Sequence, residues 1–190
     1  MNYIIYDLEL NQKYSKEDNC HDLPFEIIQI GALKLNNKLE TISTFNALVK
    51  PTVYNDIHPY IEALTKISND MVNSHNTFPK VYKDFLNFIG NEDFVFCTWG
   101  TSDIKELIRN IEFHNLNHKT IINKYIDVQN IASKYLNAPK GTRIGLQNAV
   151  EVFDIRCSGN FHNAFNDAYY TAEIFKELYT TNIKIKVLKP

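Results

Sequence analysis

Residues 3–12, YIIYDLELNQ, set two carboxylates into what otherwise reads as a buried strand. The β-branched and aromatic residues at its start are those of a pleated, packed surface. Side chains on a strand alternate faces, so Asp7 and Glu9 share one face while Ile4, Tyr6, Leu8 and Leu10 line the other. Two like charges side by side in a buried place are costly unless something positive lies between them. Any fold for this chain must therefore bring a cation, a basic side chain or solvent to that point, and the sequence offers no evident Lys or Arg partner.

The remaining chain supplies material for one sheet with helices on both faces. Residues 25–37 (FEIIQIGALKLNN) and 38–51 (KLETISTFNALVKP) read as two strands joined by a tight turn at Asn36-Asn37, after a polar loop at 18–24. Residues 52–77 are irregular, with short helical pieces near 60–74. Helical spacing follows at 78–90, through Val81, Tyr82, Phe85, Phe88 and Ile89. A continuous apolar strand at 93–99 leads into a helix at 101–114, with Ile104, Leu107, Ile108 and Ile111 on one face. A short strand turns into a helix over 124–136, and another helix is expected at 145–153. The longest helix, 163–180, carries Phe165, Ala168, Tyr169, Ala172, Phe175 and Tyr179 as its stripe. Three early strands followed by strand–helix units predict an α/β fold, a mixed sheet flanked by helices, within one domain spanning 1–190.

Composition bounds the function. Hydrophobic residues at 44% and aromatics at 13% argue for a packed globular chain and against disorder. No apolar run is long enough to span a bilayer, and no basic-then-apolar leader pattern opens the chain. Cys20, Cys97 and Cys157 are scattered and odd in number, which argues against a disulfide framework or a zinc site and for a reducing, cytoplasmic setting. With a net charge of −2, any nucleic-acid partner needs a local basic patch or a metal.

Further acids fall at telling places. Asp103 opens a helix directly after a buried strand, Asp167 lies in the first turn of the long helix, and His162 precedes it by five residues. Each has an ordinary reading: an acid in a first helical turn is favoured by the dipole and by capping, and a His near a helix start is commonly a surface residue. Taken together, four carboxylates without a soft ligand describe a site for hard divalent cations, Mg²⁺ or Mn²⁺. A pair of such ions is a usual device for cleaving phosphodiesters, and a His at its rim is suited to take a proton at neutral pH.

The ordered set resembles the DEDD superfamily of 3′–5′ exonucleases, in the branch with a catalytic histidine (DEDDh), which has an RNase H-like fold with a five-stranded mixed sheet. YIIYDLELN resembles its first motif, FCTWGTSDIKEL the second, and GLQNAVEVF with FHNAFNDAYYTAEIF the third. Within the branch, FEIIQIGALKL and the TWG before Asp103 look most like ERI-type RNA-trimming exonucleases and KapD-type proteins. The resemblance covers about residues 3–178. It implies that Asp7, Glu9 and Asp167 hold two metal ions, Mg²⁺ or Mn²⁺. It further implies that Asp103 supports the second ion through water and that His162 is the general base.

The same resemblance makes Leu64 and Thr65, in EALTKIS, candidate contacts for the terminal nucleotide, with the backbone around Leu8 and Leu10 near its sugar. Trp99 is either a base-stacking residue or core, and Lys140 and Arg143 in PKGTRIG either touch phosphates or belong to a solvated turn. Two positions depart from the family pattern: Asn166 stands where many relatives have Asp, and Ser102 where many ERI-type relatives have an aromatic. The implied activity is removal of nucleoside 5′-monophosphates from single-stranded 3′ ends, with RNA favoured. A DNA exonuclease of the proofreading or repair type, an RNase H-like endonuclease and a non-catalytic nucleic-acid binder are the rival expectations.

Overall fold

The computed structural model describes residues 1–14, 23–117, 124–157, 159–179 and 183–187. Six strands form one sheet among the described residues: β1 (Asn2–Gln12), β2 (Phe25–Leu35), β3 (Thr41–Leu48), β4 (Phe94–Thr98), β5 (Lys124–Asp127) and β6 (Lys186–Val187). Their order is β3-β2-β1-β4-β5-β6. β1 runs antiparallel to β2 and parallel to β4, and β4 runs parallel to β5. The sheet is thus mixed, as expected, with the two-residue β6 added at the β5 edge. A segment that short has no alternating pattern to read.

Among the described residues seven helices accompany it: α1 (Pro59–Thr65), α2 (Asn69–Asn73), α3 (Phe78–Ile89), α4 (Ser102–Phe113), α5 (Val128–Tyr135), α6 (Leu146–Val152) and α7 (Ala164–Leu178). One face of β1 (Ile4, Tyr6, Leu8) packs with Phe78, Val81, Phe85, Ile104, Leu107 and Ile111 of α3 and α4. The other face (Tyr3, Ile5) packs with Ala168, Ala172, Ile174 and Phe175 of α7, joined by residues of α5 and α6. β1 is therefore buried on both sides, and its acids stand where the apolar row of the second face runs out. The buried arc of α7 is wider than the expected stripe: Tyr170, Thr171, Ile174 and Leu178 are buried, while Phe165, Tyr169 and Tyr179 are only partly so. Contact with α5 and α6 as well as the sheet covers a second side of that helix.

Two local features set the geometry of β2. Its loop to β3 spans Asn36–Glu40, longer than the two-residue turn expected; Asn36 Oδ1 accepts from the Lys38 and Glu40 N–H groups and Leu39 takes φ +65°. The β1–β2 register shifts between Glu9 and Leu10, so Ile28 is an extra residue between Gln29, opposite Glu9, and Ile27, opposite Leu10. Ile28 drops into a third apolar cluster with Ile57, Ile61, Ile67 and Val72, which seats α1 and α2 beside the end of β1. Asn11 fastens the same corner, donating to the Asp56 carbonyl and accepting from the His58 N–H. Asn110 of α4 likewise grips β2 through the Phe25 carbonyl and the Ile27 N–H. No helix among the described residues is long and apolar enough to cross a membrane. The loop expected at 18–24 falls largely outside the described residues.

Candidate active site

The parallel strands β1, β4 and β5 end at one edge of the sheet, and the acids gather there. β1 contributes Asp7 and Glu9. β4 leads through Thr98–Thr101 into α4, whose first turn carries Asp103. α7 delivers Asp167 in its own first turn, with Asn163 as N-cap accepting from the Phe165 and Asn166 N–H groups.

The approach of α7 to the sheet is unusually close. A Cβ on Gly31, the residue paired with Asp7, would lie 2.2 Å from both the Ala164 carbonyl carbon and the Phe165 nitrogen. Only glycine lets the start of α7 settle onto β2. Gln29, paired with Glu9, adds a polar clamp: its Oε1 accepts from the Ala164 N–H at 3.1 Å and its amide donates to Asn46. The sequence reading assigned neither residue a role in the site. Their signal, a Gln two residues before a Gly on the same face of the sheet as the acids, is visible only once α7 is known to cross that strand.

Asp7, Glu9 and Asp167 present oxygens that all lie within 4.8 Å of one another. Asp103 is buried beside this trio and receives a hydrogen bond from the Leu8 backbone, as does Asp7. Burial is the leading cause that raises all four carboxyls, and neighbouring acids reinforce it at Asp7, Glu9 and Asp103. Asp7 is pushed well above its usual range by burial and by Asp103, Glu9 and Asp167. Glu9 rises to about 8, through burial and the charges of Asp167 and Asp103. Asp103 rises to about 7 and Asp167 to about 6, both chiefly through burial. No Lys or Arg figures among the groups that shift them. The opening puzzle of the sequence is thus realised in space: four acids share a desolvated pocket with no basic side chain among the described residues to balance them.

The residues present fit divalent cations. All donors are hard carboxylate oxygens, and Asp167 Oδ1 is buried without a hydrogen-bond partner. Asp167 Oδ2 is held by the His162 N–H at 3.1 Å. That bond depends on His162 taking φ +60°, a strained conformation for a non-glycine residue. His162 itself is exposed, and its backbone is the part that touches the acids. Its loop is pinned by α7: Asn166 donates to the Asn160 carbonyl at 2.8 Å, and the Tyr170 hydroxyl bonds both the carbonyl and the N–H of Gly159. Asn166, the departure from the family pattern, therefore holds the loop that carries His162.

The other sequence candidates divide. Leu64 and Thr65 line an open cleft of about 770 Å³, with Gln29, Asn160, Asn163 and Asn166 on its walls. The cleft thus runs alongside the neighbours of the acids rather than over the acids themselves. The Thr65 hydroxyl is engaged by the Ile61 carbonyl and the Ile67 N–H, leaving its methyl for outside contacts. Leu8 is buried toward α3 and α4, so its backbone, not its side chain, faces the acids; Leu10 is half-buried on that same apolar side. Trp99 is half-buried against the core beneath α7 and lies outside the cleft. Arg143 is drawn to Asp127 and Gln129.

Comparison with known proteins agrees with this geometry. The chain is 32% identical over 174 residues to the PolC-type DNA polymerase III of Clostridium perfringens (strain 13 / Type A), covering 92% of this chain and 11% of the polymerase. It is 21% identical over 180 residues to 3′–5′ exoribonuclease 1 of Rattus norvegicus, covering 90% of this chain and 52% of that protein. It is 25% identical over 174 residues to the KapD protein of Bacillus subtilis (strain 168), described as a probable 3′–5′ exonuclease, covering 91% and 82%. The chain thus spans about half of the exoribonuclease and about a tenth of the polymerase. Among solved structures, the nuclease domain of 3′hExo, a DEDDh family member bound to rAMP, superposes with a TM-score of 0.82 at 22% identity, covering 99% of this chain and 96% of that one. The fold is accordingly the RNase H-like α/β architecture that the sequence resemblance implied. The exonuclease (RNase T) family model matches residues 4–175, and the chain belongs to that family.

Proposed function

We propose that this chain is a 3′–5′ exonuclease that releases nucleoside 5′-monophosphates from single-stranded 3′ ends, with RNA the favoured substrate and two Mg²⁺ or Mn²⁺ ions as cofactors. The observation that carries the reading is the trio Asp7, Glu9 and Asp167, whose oxygens converge within 4.8 Å with Asp103 buried alongside. In this reading the trio holds the ions and Asp103 supports them from behind. Divalent ions bound there supply Lewis-acid activation of water and charge neutralisation at the leaving 3′-oxygen. His162, exposed at the rim, takes the proton of the attacking water. The Leu8 backbone N–H orients Asp7 and Asp103, and the His162 N–H orients Asp167, so each acid keeps an oxygen free for ligation. The Leu64–Thr65 wall of the cleft receives the terminal nucleotide, with the backbone near Leu8 and Leu10 beside its sugar.

RNA is favoured by the likeness to exoribonuclease 1 and to a structure holding rAMP. A second reading, a DNA 3′–5′ exonuclease, is supported by the 32% identity to a PolC-type DNA polymerase. Purified protein incubated with Mn²⁺ and 5′-labelled RNA or DNA single strands tests both. A ladder shortening from the 3′ end, faster on RNA, is the expected result. Internal cuts, or no cleavage of either strand, would overturn the proposal, and faster loss of DNA would install the second reading.

A further inference from the structure

The catalytic edge of the sheet continues past the acids into a basic surface that the site does not use. Thr98 of β4 pairs with Asp127 of β5, and Ile4 and Ile5 of β1 pair with Phe96 and Cys97 of β4. The end of β5 is therefore level with Tyr6 of β1, the residue before Asp7, and two strands away, about 10 Å at the ordinary strand spacing. Asp127 is fully buried there, caps α5 through the Asn130 N–H, and draws in Arg143 at 3.2 Å and Lys186 at 3.1 Å. Arg143 also reaches toward Gly100, three residues before Asp103. One buried acid thus anchors two half-exposed cations on the same edge as the acidic pocket.

From that anchor the surface runs along α5 as two open clefts that share Asn130 and Lys134. One, of about 410 Å³, lies under the 138–143 loop and is lined by Lys134, Lys140 and Arg143 with no acid. The other, of about 550 Å³, lies against the 183–186 segment and is lined by Lys134, Lys184 and Lys186, Asp127 being its only acid among the described residues. Lys134, Lys140 and Lys184 are exposed, and none takes part in an ion pair among the described residues. At the far end of the second cleft Tyr135 is 67% exposed, and its ring is ordered by stacking on Phe153 at 5.7 Å. Unpaired cations along a groove, with an aromatic face at its end, are what a single strand needs: fixed charges for phosphates and a platform for a base. A chain of net charge −2 that concentrates five cations here has a local field opposite in sign to its total.

We propose that this α5 surface is the track for the single strand upstream of the scissile bond. Arg143 and Lys186 meet the phosphates nearest the acids, Lys134, Lys140 and Lys184 meet those further 5′, and Tyr135 stacks on a base. The proposal rests on the exonuclease reading for the direction of the strand, but binding can be read without turnover.

The test uses the full chain carrying Asp7→Asn, with or without Lys134→Ala, Lys140→Ala and Lys184→Ala together. Binding of a fluorescent 15-nucleotide single strand is followed by anisotropy across a salt series. The expected result is at least tenfold weaker binding by the triple variant, with the salt slope reduced by about 2, since each lost single-strand phosphate contact removes about 0.7. In the Asp7-containing enzyme, KM for the 15-mer should rise with kcat retained, and the defect should shrink as the substrate shortens to a dinucleotide. Unchanged affinity and salt slope would overturn the track, as would an equal defect on the dinucleotide. An enzyme that degrades no substrate while the 15-mer affinity still falls would sink the exonuclease reading and leave the track standing.

Discussion

The acidic pocket should make the metal-free protein less stable as pH rises, and removing one acid should relieve that. Glu9 shows the size of the effect. Burial and the charges of Asp167 and Asp103 raise its carboxyl from 4.5 to about 8. The folded chain therefore keeps a proton that the unfolded chain gives up. The associated stability is fully present below pH 4.5 and is lost as pH climbs toward 8. At pH 7 the unfolded carboxyl has passed its pKa by about 2.5 units while the folded one is still mostly protonated, so the loss is about 3 kcal/mol. Glu9→Gln keeps the shape and removes the titration. In EDTA at pH 7 the variant should melt roughly 6–12 °C above the wild type, at about 2–4 °C per kcal/mol for a chain of this size. The two curves should converge below pH 4.5. Adding Mn²⁺ should raise the wild-type melting temperature by mass action and the variant's much less, reversing their order. Thermal unfolding followed by circular dichroism from pH 4 to 8 measures this directly. A wild-type-minus-variant difference that stays flat across that range would refute the reasoning, because it would mean that Glu9 is neither desolvated nor crowded by like charges.

Asp7→Asn should abolish nucleotide release, as EDTA should in the wild type, and leave the circular dichroism spectrum unchanged; a folded Asp7→Asn protein with near-normal turnover would remove the metal trio from the mechanism. His162→Ala should slow single-turnover hydrolysis by about 10²–10⁴-fold, the usual range for a lost general base, with the deficit shrinking at high pH; an unaltered pH–rate profile would exclude His162. Asn166→Ala, which breaks the hydrogen bond to Asn160, should lower kcat about tenfold, the equivalent of one hydrogen bond, and should cost nothing further in a His162→Ala background. Gly31→Ala should destabilise the fold by about 1–3 kcal/mol, as overpacking does, and should lose activity out of proportion, since a Cβ there drives the start of α7 and with it Asp167 off the sheet.

The strands and helices were legible where a period survives to the surface. β1 announces itself through four apolar residues on one face, and α3 through Val81, Tyr82, Phe85, Phe88 and Ile89, of which all but the half-buried Phe88 are buried. The period fails where an element is wrapped on more than one side. α7 buries Tyr170, Thr171 and Ile174 outside its expected stripe, because α5 and α6 cover a flank that a single-faced helix would leave wet. The hairpin loop at Asn36–Glu40 is longer than its sequence implies for a different reason. An Asx side chain that bonds two backbone N–H groups, and a Leu in a left-handed conformation, leave no glycine to mark the turn.

The site was legible in its charges and hidden in its supports. Acids that nothing balances stand out in a sequence, because the physical chemistry that makes them useful also makes them anomalous in a strand or a packed helix start. What brings them together is composed of unremarkable residue types: a glycine whose missing Cβ admits α7, a glutamine that caps it, an extra Ile28 that bends β2, and an Asn166 that holds a loop. Each matters only through a partner distant in sequence, Gly31 through Ala164 and Gln29 through the same residue's N–H. A single sequence read by local period and charge contains no term for such pairs. The division also has a consequence for variants of this chain. Changes at the acids should remove chemistry and spare or improve stability, whereas changes at the supports should cost stability and chemistry together.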